Sequence, residues 1–194
     1  MEPVKRKDAI KSIFEVVLPN DVTASTTGLI SREIFTKYDS ARNIYVPGSM
    51  GLVSSIALAI AICHPEKRVI AIDGDASLLM NLGTIVTVSA YQPKNFLHIV
   101  LDNNAYGSCS EEKSLSSFAK FDKITKDVGY KYVRIVDSVV ELKNAILNSF
   151  SGPSFILAKI SLGGKRDFSR PTKLPEIKYR FMNFLKEQDK IKDK

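Results

Sequence analysis

Short apolar segments alternate along the chain with longer segments of helical periodicity. Most of the short segments are rich in β-branched residues and apolar on both faces, as the covered strands of a parallel sheet are. The predicted strands are VTAST (22–26), NIYV (43–46), VIAID (69–73), FLHIVL (96–101), YVRIV (132–136) and SFILAKI (154–160). The predicted helices cover residues 6–18, 29–38, 51–63, 77–91, 116–128, 138–150 and 174–188. This alternation predicts an α/β fold with a doubly wound, mainly parallel sheet and helices on both faces.

The C-terminal part of the pattern differs from the rest in charge. We expect residues 1–194 to form a single domain in which residues 163–194 are a basic extension ending in an amphipathic helix. That extension holds ten Lys/Arg and five Asp/Glu, which is +5 of the net charge of +7. The absence of a nucleic-acid motif favours a solvated surface or attraction of a small anionic substrate over nucleic-acid binding.

Composition narrows the class of protein further. The longest apolar run, residues 52–63, is too short to span a bilayer, and the charged N-terminus has no apolar signal segment. Cys63 and Cys109 have no metal-site or redox spacing. These features predict a cytoplasmic protein that does not bind membranes.

Polar residues follow two central predicted strands, at 73–77 (DGDAS) and 102–107 (DNNAYG). Ligands of open α/β sheets bind at the carboxyl ends of the strands, so we expect the two segments to lie together. Three interpretations of DGDAS are open: a tight turn, a phosphatase whose first Asp is the nucleophile, and a magnesium–diphosphate site. A calcium loop beginning at Asp102 is excluded, because Lys113 stands where a bidentate Glu is needed.

The second segment favours the magnesium–diphosphate site. Asn103 lies 28 residues after Asp75, which leaves room for one strand–helix–strand unit between them. Mg²⁺ requires about six oxygen ligands, and the Asp75 carboxylate, the Asn103 side chain and one loop carbonyl can supply three. Diphosphate oxygens and a water can supply the others.

These segments resemble the binding signature of thiamin diphosphate enzymes, and VPGSMGLVSSIALAIAI (46–62) resembles their pyrimidine-contacting stretch. Ala76 and Asp102 depart from the usual Gly and Asn. The resemblance implies that the Gly48 carbonyl contacts the aminopyrimidine and that Met50 holds the cofactor bent. The cofactor-binding residues that it implies are Gly48, Ser49, Met50, Gly74, Asp75, Ala76, Ser77, Asn103, Ala105 and Tyr106. The Mg²⁺ ligands that it implies are Asp75, Asn103 and Ala105.

The family also needs a glutamate that bonds the pyrimidine ring, and it lies in a separate pyrimidine-binding domain. We find no matching glutamate in this sequence, so no catalytic residue is assigned. The resemblance implies a hetero-oligomer in which an α subunit supplies the pyrimidine-binding domain.

Within the family, the resemblance is to decarboxylases of 3-sulfopyruvate and phosphonopyruvate. It rests on GSMGLVSSIALAIA, IDGDASLLMNLG, VLDNNAYGS and the terminal RP…P…KxRFMNFL pattern at 170–185. The expected reaction converts 3-sulfopyruvate to sulfoacetaldehyde and CO₂, a step of coenzyme M biosynthesis. Alternatives are a phosphonopyruvate decarboxylase subunit, the β chain of a 2-oxoacid oxidoreductase, a DxD-type phosphatase and a non-catalytic nucleotide-binding module.

Overall fold

The computed structural model describes residues 3–150 and 152–187. Within these ranges the strands are β1 (Val22–Ser25), β2 (Asn43–Tyr45), β3 (Val69–Gly74), β4 (Phe96–Asp102), β5 (Tyr132–Val136) and β6 (Ser154–Lys159). They form one sheet in the order β2-β1-β3-β4-β6-β5, and every neighbouring pair is parallel. The predicted doubly wound fold is confirmed, with strand boundaries within one or two residues.

The helices lie where they were predicted, but two of the predicted helices are interrupted. They are α1 (Arg6–Val16), α2 (Leu29–Tyr38), α3 (Val53–Cys63), α4 (Asp75–Met80), α5 (Thr84–Tyr91), α6 (Ser116–Ala119), α7 (Phe121–Asp127), α8 (Val139–Leu147) and α9 (Leu174–Glu187). The continuous helix predicted over 77–91 is wrong, since a turn at 81–83 separates α4 from α5. The one predicted over 116–128 is also broken, because Lys120 adopts a left-handed conformation with φ 44°.

Alternate residues of each central strand enter two different cores. Val69 and Ala71 of β3 face the layer that contains α3, α5 and α7, whereas Ile70 and Ile72 face α1, α2 and α8. Both faces of β3 are therefore covered, which is why its sequence is apolar without alternation.

The order of the strands creates a crevice at the carboxyl ends of two central strands. From β1 the chain first adds β2 on one side and then β3 on the other. The connections after β1 and β3 therefore diverge, and they leave a gap above the carboxyl ends of these two strands. The segments after β1, β3 and β4 surround this gap.

The C-terminal helix is amphipathic as predicted. Ile177, Phe181 and Leu185 are buried, while Tyr179 is exposed. Residue 188 of the predicted helix and residues 188–194 of the predicted basic extension lie outside the described residues. No helix in the described ranges is long and apolar enough to cross a membrane.

Candidate functional site

A cleft above the carboxyl ends of β1, β3 and β4 brings most of the predicted site residues together. Eight of them line it: Met50, Gly74, Asp75, Ala76, Ser77, Asn103, Ala105 and Tyr106. Gly48 and Ser49 are exposed in the loop after β2 and do not line this cleft. Their contacts with a cofactor stay a prediction.

Asp75 is the acidic side chain of the cleft and is almost fully buried, with 2% of its surface exposed. Burial is the main cause that raises its pKa, and the nearby Asp102 carboxylate raises it further. A hydrogen bond from Ser114 opposes this effect. Because burial disfavours the free carboxylate, a bound cation would relieve the cost. The environment of Asp75 therefore fits a metal ligand.

Gly74 leaves room for a ligand immediately before Asp75. A Cβ at this position would meet only the Ile30 side chain, at 3.6 Å, and both residues line the cleft. The space that a side chain would occupy is thus open to the cleft. The glycine allows a bulky anion such as a diphosphate to approach the backbone.

The loop after β4 is folded by its own side chains. The Asn103 side-chain oxygen accepts from the Ala105 N–H at 3.0 Å, and an Asp102 oxygen accepts from the Asn104 N–H at 3.0 Å. A Cβ at Gly107 would lie 2.8 Å from the Asn103 amide nitrogen, so a side chain there would displace the Asn103 side chain. These turns place Asn103 and Ala105 on the same cleft as Asp75, as the strand-end argument predicts.

Asp102, which replaces the family's usual Asn, is fully buried and has its own partners. It forms an ion pair with Lys159, its neighbour in the β4–β6 register, and accepts a hydrogen bond from the Ser116 hydroxyl at 2.9 Å. The departure from the family pattern is therefore compensated within this chain.

Ser77 connects three of the loops around the cleft. Its hydroxyl accepts from the Gly51 N–H at 3.0 Å and hydrogen-bonds with the Thr26 hydroxyl at 2.8 Å. Gly51 has φ 94°, and a Cβ there would lie 3.0 Å from the Cβ of Met80. A direct contact between Ser77 and a diphosphate stays a prediction, but its role in closing the loops is visible.

Asp73, the first carboxylate of DGDAS, lies outside the cleft. It is fully buried, accepts from the Gly74 N–H at 2.8 Å and lies 3.4 Å from His98 Nε2. A nucleophile must reach its substrate, and this carboxylate faces the core. The phosphatase interpretation therefore has no support in the geometry.

Several site residues were missed from the sequence. Thr26 and Thr27 line the cleft directly after β1, so the strand-end rule would have found them. Ser114 and Lys159 carried no local signal, because their partners lie 39 and 57 residues away in the chain. Cys109 also lines the cleft.

Comparison with known proteins agrees with this geometry. Residues 26–158 match the family model "Thiamine pyrophosphate enzyme, C-terminal TPP binding domain", TPP being thiamin diphosphate. The chain is 35% identical over 185 residues to sulfopyruvate decarboxylase subunit beta of Methanocaldococcus jannaschii, covering 94% of this chain and 97% of that protein. It is 32% identical over 185 residues to phosphonopyruvate decarboxylase of Streptomyces hygroscopicus, covering 94% of this chain but only 46% of that protein.

A solved structure gives the same fold. The thiamine diphosphate-dependent 4-hydroxybenzoylformate decarboxylase of Rhodococcus jostii superposes with a TM-score of 0.70 at 14% identity, covering 85% of this chain and 34% of that one. At that identity the likeness concerns the fold alone. The sequence match over most of the chain is what assigns the family: the chain belongs to the thiamin diphosphate enzymes and corresponds to their C-terminal cofactor-binding domain.

Proposed function

We propose that the chain is the β subunit of a split, thiamin diphosphate-dependent 2-oxoacid decarboxylase that converts 3-sulfopyruvate to sulfoacetaldehyde and CO₂. In this role it would serve coenzyme M biosynthesis. The observation that carries the proposal is the match over 97% of a sulfopyruvate decarboxylase β subunit, which is similar in length as well as in sequence. The cleft that holds Asp75 and Asn103 supports it.

Mg²⁺ would be held by the Asp75 carboxylate, the Asn103 side-chain oxygen and the Ala105 carbonyl. Among residues 3–150 and 152–187, no three His, Cys, Asp or Glu side chains are grouped as a metal site. One carboxylate with neutral oxygens suits a metal that arrives with a negatively charged diphosphate. This donor set supports a metal–diphosphate pair rather than a metal bound by protein alone.

Thiamin diphosphate, when bound, supplies the nucleophilic carbon and takes up the electron pair released with CO₂. The chain's own residues prepare the site for it. Met50 is half-buried in the cleft wall and would support the bent cofactor. Leu29, Ile30 and Leu101 line the same cleft and exclude water.

The lining and the size of the cleft support a partner subunit. The cleft residues that the structure describes include no glutamate and no histidine. The cavity is about 100 Å³ in volume, below the roughly 300 Å³ at which pockets for organic ligands usually begin. A cofactor bound here would need a second wall.

An apolar surface beside the cleft suits that second wall. This apolar rim consists of Leu52, Met80, Leu115 and Phe118, and the last two side chains are 65% and 80% exposed. Its members are neighbours, since Gly51 packs on Met80 and α4 contacts α6. Leu52 and Met80 lie within three residues of cleft residues, and Ser114, which precedes Leu115, hydrogen-bonds to Asp75. A subunit seated on the rim would therefore reach the cofactor. We assign this place to the pyrimidine-binding α subunit.

Phosphonopyruvate is the second candidate substrate, because the chain is 32% identical to a phosphonopyruvate decarboxylase over 94% of its length. Sulfonate and phosphonate are both tetrahedral anions, and the described cleft does not distinguish them.

A 2-oxoacid oxidoreductase has less support. Cys63 and Cys109 are both exposed and belong to no group of potential metal ligands within the described ranges.

The experiment that tests the proposal is CO₂ release by the complex isolated from its native source through this chain. We expect release from 3-sulfopyruvate that depends on added thiamin diphosphate and Mg²⁺ and exceeds release from phosphonopyruvate and pyruvate. Faster release from phosphonopyruvate would move the assignment to the second candidate. If thiamin diphosphate is bound but CO₂ is released from none of the three substrates, the family assignment stands and the proposed substrate is wrong.

A further inference from the structure

A second cavity, with a volume of about 470 Å³, lies next to the cofactor cleft. We call it the basic cavity. The start of α1, one face of α2 and the segment 161–168 enclose it. Its charged lining residues are Lys5, Arg6, Lys7, Glu33, Lys37 and Lys165. Five cationic side chains thus share a cavity with one carboxylate.

That carboxylate is already neutralised by two of the cations. Glu33 is 1% exposed, and its two oxygens accept from Arg6 Nε and Lys37 Nζ, each at 2.9 Å. Lys7 and Lys165 have no carboxylate partner among the described residues. The cavity therefore keeps a strong excess of positive charge after its internal ion pairs are formed.

Two of the ammonium groups contact the same aromatic ring. Lys37 Nζ and Lys165 Nζ lie 5.4 and 5.5 Å from the centre of the Phe168 ring. The ring adds weak compensation to the charge of Lys165, whereas Lys37 is also paired with Glu33. An anion within reach of both ammonium groups would gain a charge-assisted hydrogen bond from each.

The segment that carries Lys165 and Phe168 leaves space for such an anion. Gly163 has φ 97°, and a Cβ there would meet no atom within 4 Å. Arg6 Nη2 donates to the Lys165 carbonyl at 2.5 Å, which holds the segment against the buried Arg6–Glu33 pair. The cavity is thus a formed feature of the fold with open room beside its cations.

We propose that the basic cavity binds a tetrahedral oxyanion, either inorganic phosphate or the acid group of an organic sulfonate or phosphonate. The site is separate from the place of the cofactor diphosphate. Arg6 lines both cavities, so the anion is in a position to influence the cleft. The proposal does not rest on the decarboxylation reaction.

Calorimetry on the full chain, in the assembly in which it purifies, tests this site. The protein is first saturated with thiamin diphosphate and Mg²⁺, so that the cleft is filled, and then titrated with inorganic phosphate or with sulfoacetate. We expect saturable binding that Lys165→Gln and Lys37→Gln each weaken about tenfold, since each removes a charge-assisted hydrogen bond. Lys123→Gln, on the exposed surface of α7, removes the same charge and should leave binding unchanged.

The outcomes of the titrations distinguish the two possible sources of the anion and the alternatives to a specific site. Tighter binding of sulfoacetate would identify an organic acid as the ligand, and tighter binding of phosphate would identify the free anion. Equal effects of all three lysine variants would reduce the binding to general charge and overturn the proposal. Binding that disappears once thiamin diphosphate is present would place the anion in the cofactor cleft and overturn it as well.

Discussion

Asp75 carries an energetic cost when no cation is bound. Its carboxylate is buried, its pKa is raised chiefly by burial, and Asp102 adds like charge nearby. Substitution by the isosteric amide should remove that cost together with the proposed metal ligand. If Asp75 binds the metal, the residue links the stability of the empty chain to its capacity for binding.

Asp75→Asn should raise the free energy of unfolding of the empty chain, on the order of 1 kcal/mol as for other stabilising substitutions. It should also abolish the increase in Tm that Mg²⁺ and thiamin diphosphate give the natural chain. Thermal unfolding with and without both ligands measures the two effects. Asp137→Asn, at an exposed carboxylate, is the matched control. An undiminished ligand-induced rise in Tm would contradict the assignment of Asp75.

The raised pKa of Asp75 also fixes the sign of a pH effect. The native state favours the protonated carboxyl, so its contribution to stability is complete below the ordinary aspartate pKa of about 3.9. That contribution is lost as the pH rises through the raised pKa of the folded chain. The advantage of Asp75→Asn over the natural chain should therefore grow from acidic to neutral pH. An advantage that shrinks over the same range would contradict the direction of the shift.

Met50 forms part of the cleft wall through its side chain alone. Met50→Ala should leave cofactor and Mg²⁺ retention unchanged but lower turnover roughly 10- to 100-fold, the scale of a misplaced reactive group. Retention measured by cofactor extraction and turnover measured by CO₂ release separate these effects. Met182→Ala on α9 is the control, because that methionine is partly exposed and lies outside the cleft lining. Unchanged turnover would reduce Met50 to a packing residue.

Between elements, the cleft is held by contacts that join segments distant in sequence. Ser114 and Ser116, from the segment before and at the start of α6, bond to Asp75 and Asp102 at the ends of β3 and β4. Lys159 at the end of β6 completes the set through its ion pair with Asp102. The geometry around the proposed metal site thus depends on three strands in register.

The pair Asp102 and Lys159 can be tested by a double-mutant cycle. Lys159→Met should lower the free energy of unfolding by about 1–3 kcal/mol, because it leaves a buried carboxylate with one partner fewer. Lys159 is 40% exposed, so we expect the lower part of that range. Adding Asp102→Asn, the residue usual in the family, should recover most of the loss. Strictly additive effects in denaturant unfolding would show that the two side chains do not interact.

The sequence predicted those features that depend on the pattern within single segments of the chain. Strands that are apolar on both faces indicated a covered parallel sheet. The polar residues after β3 and β4 indicated the cleft that contains Asp75 and Asn103. The Asp102–Lys159 pair could not be predicted, because it depends on the register between β4 and β6. The basic cavity was equally hidden, since the chain's beginning and the segment 161–168 meet only in the folded protein. The turn at 81–83 interrupts an apolar pattern that reads as one helix.

At the scale of the whole molecule, the apolar rim is an exposed surface that continues the cleft. Phe118→Asp should weaken association with the partner subunit and lower activity in proportion. The free energy of unfolding of the chain itself should change by no more than about 0.5 kcal/mol, as at other exposed positions. Analytical ultracentrifugation of the co-purified complex measures the association. Val140→Asp, at another exposed apolar side chain, on α8 at the opposite face of the sheet, is the control. Unchanged association would place the partner elsewhere.

The small volume of the cleft has a thermodynamic consequence. If the second wall belongs to another subunit, cofactor and partner each complete the other's binding surface, so their affinities rise together by the same factor. Dilution into buffer that keeps the thiamin diphosphate concentration constant would then still release bound cofactor, because it separates the subunits. A low concentration of thiamin diphosphate would in turn favour dissociation of the enzyme into inactive subunits. An incomplete pocket of about 100 Å³ would thereby make catalytic activity depend on the supply of both the partner subunit and thiamin diphosphate.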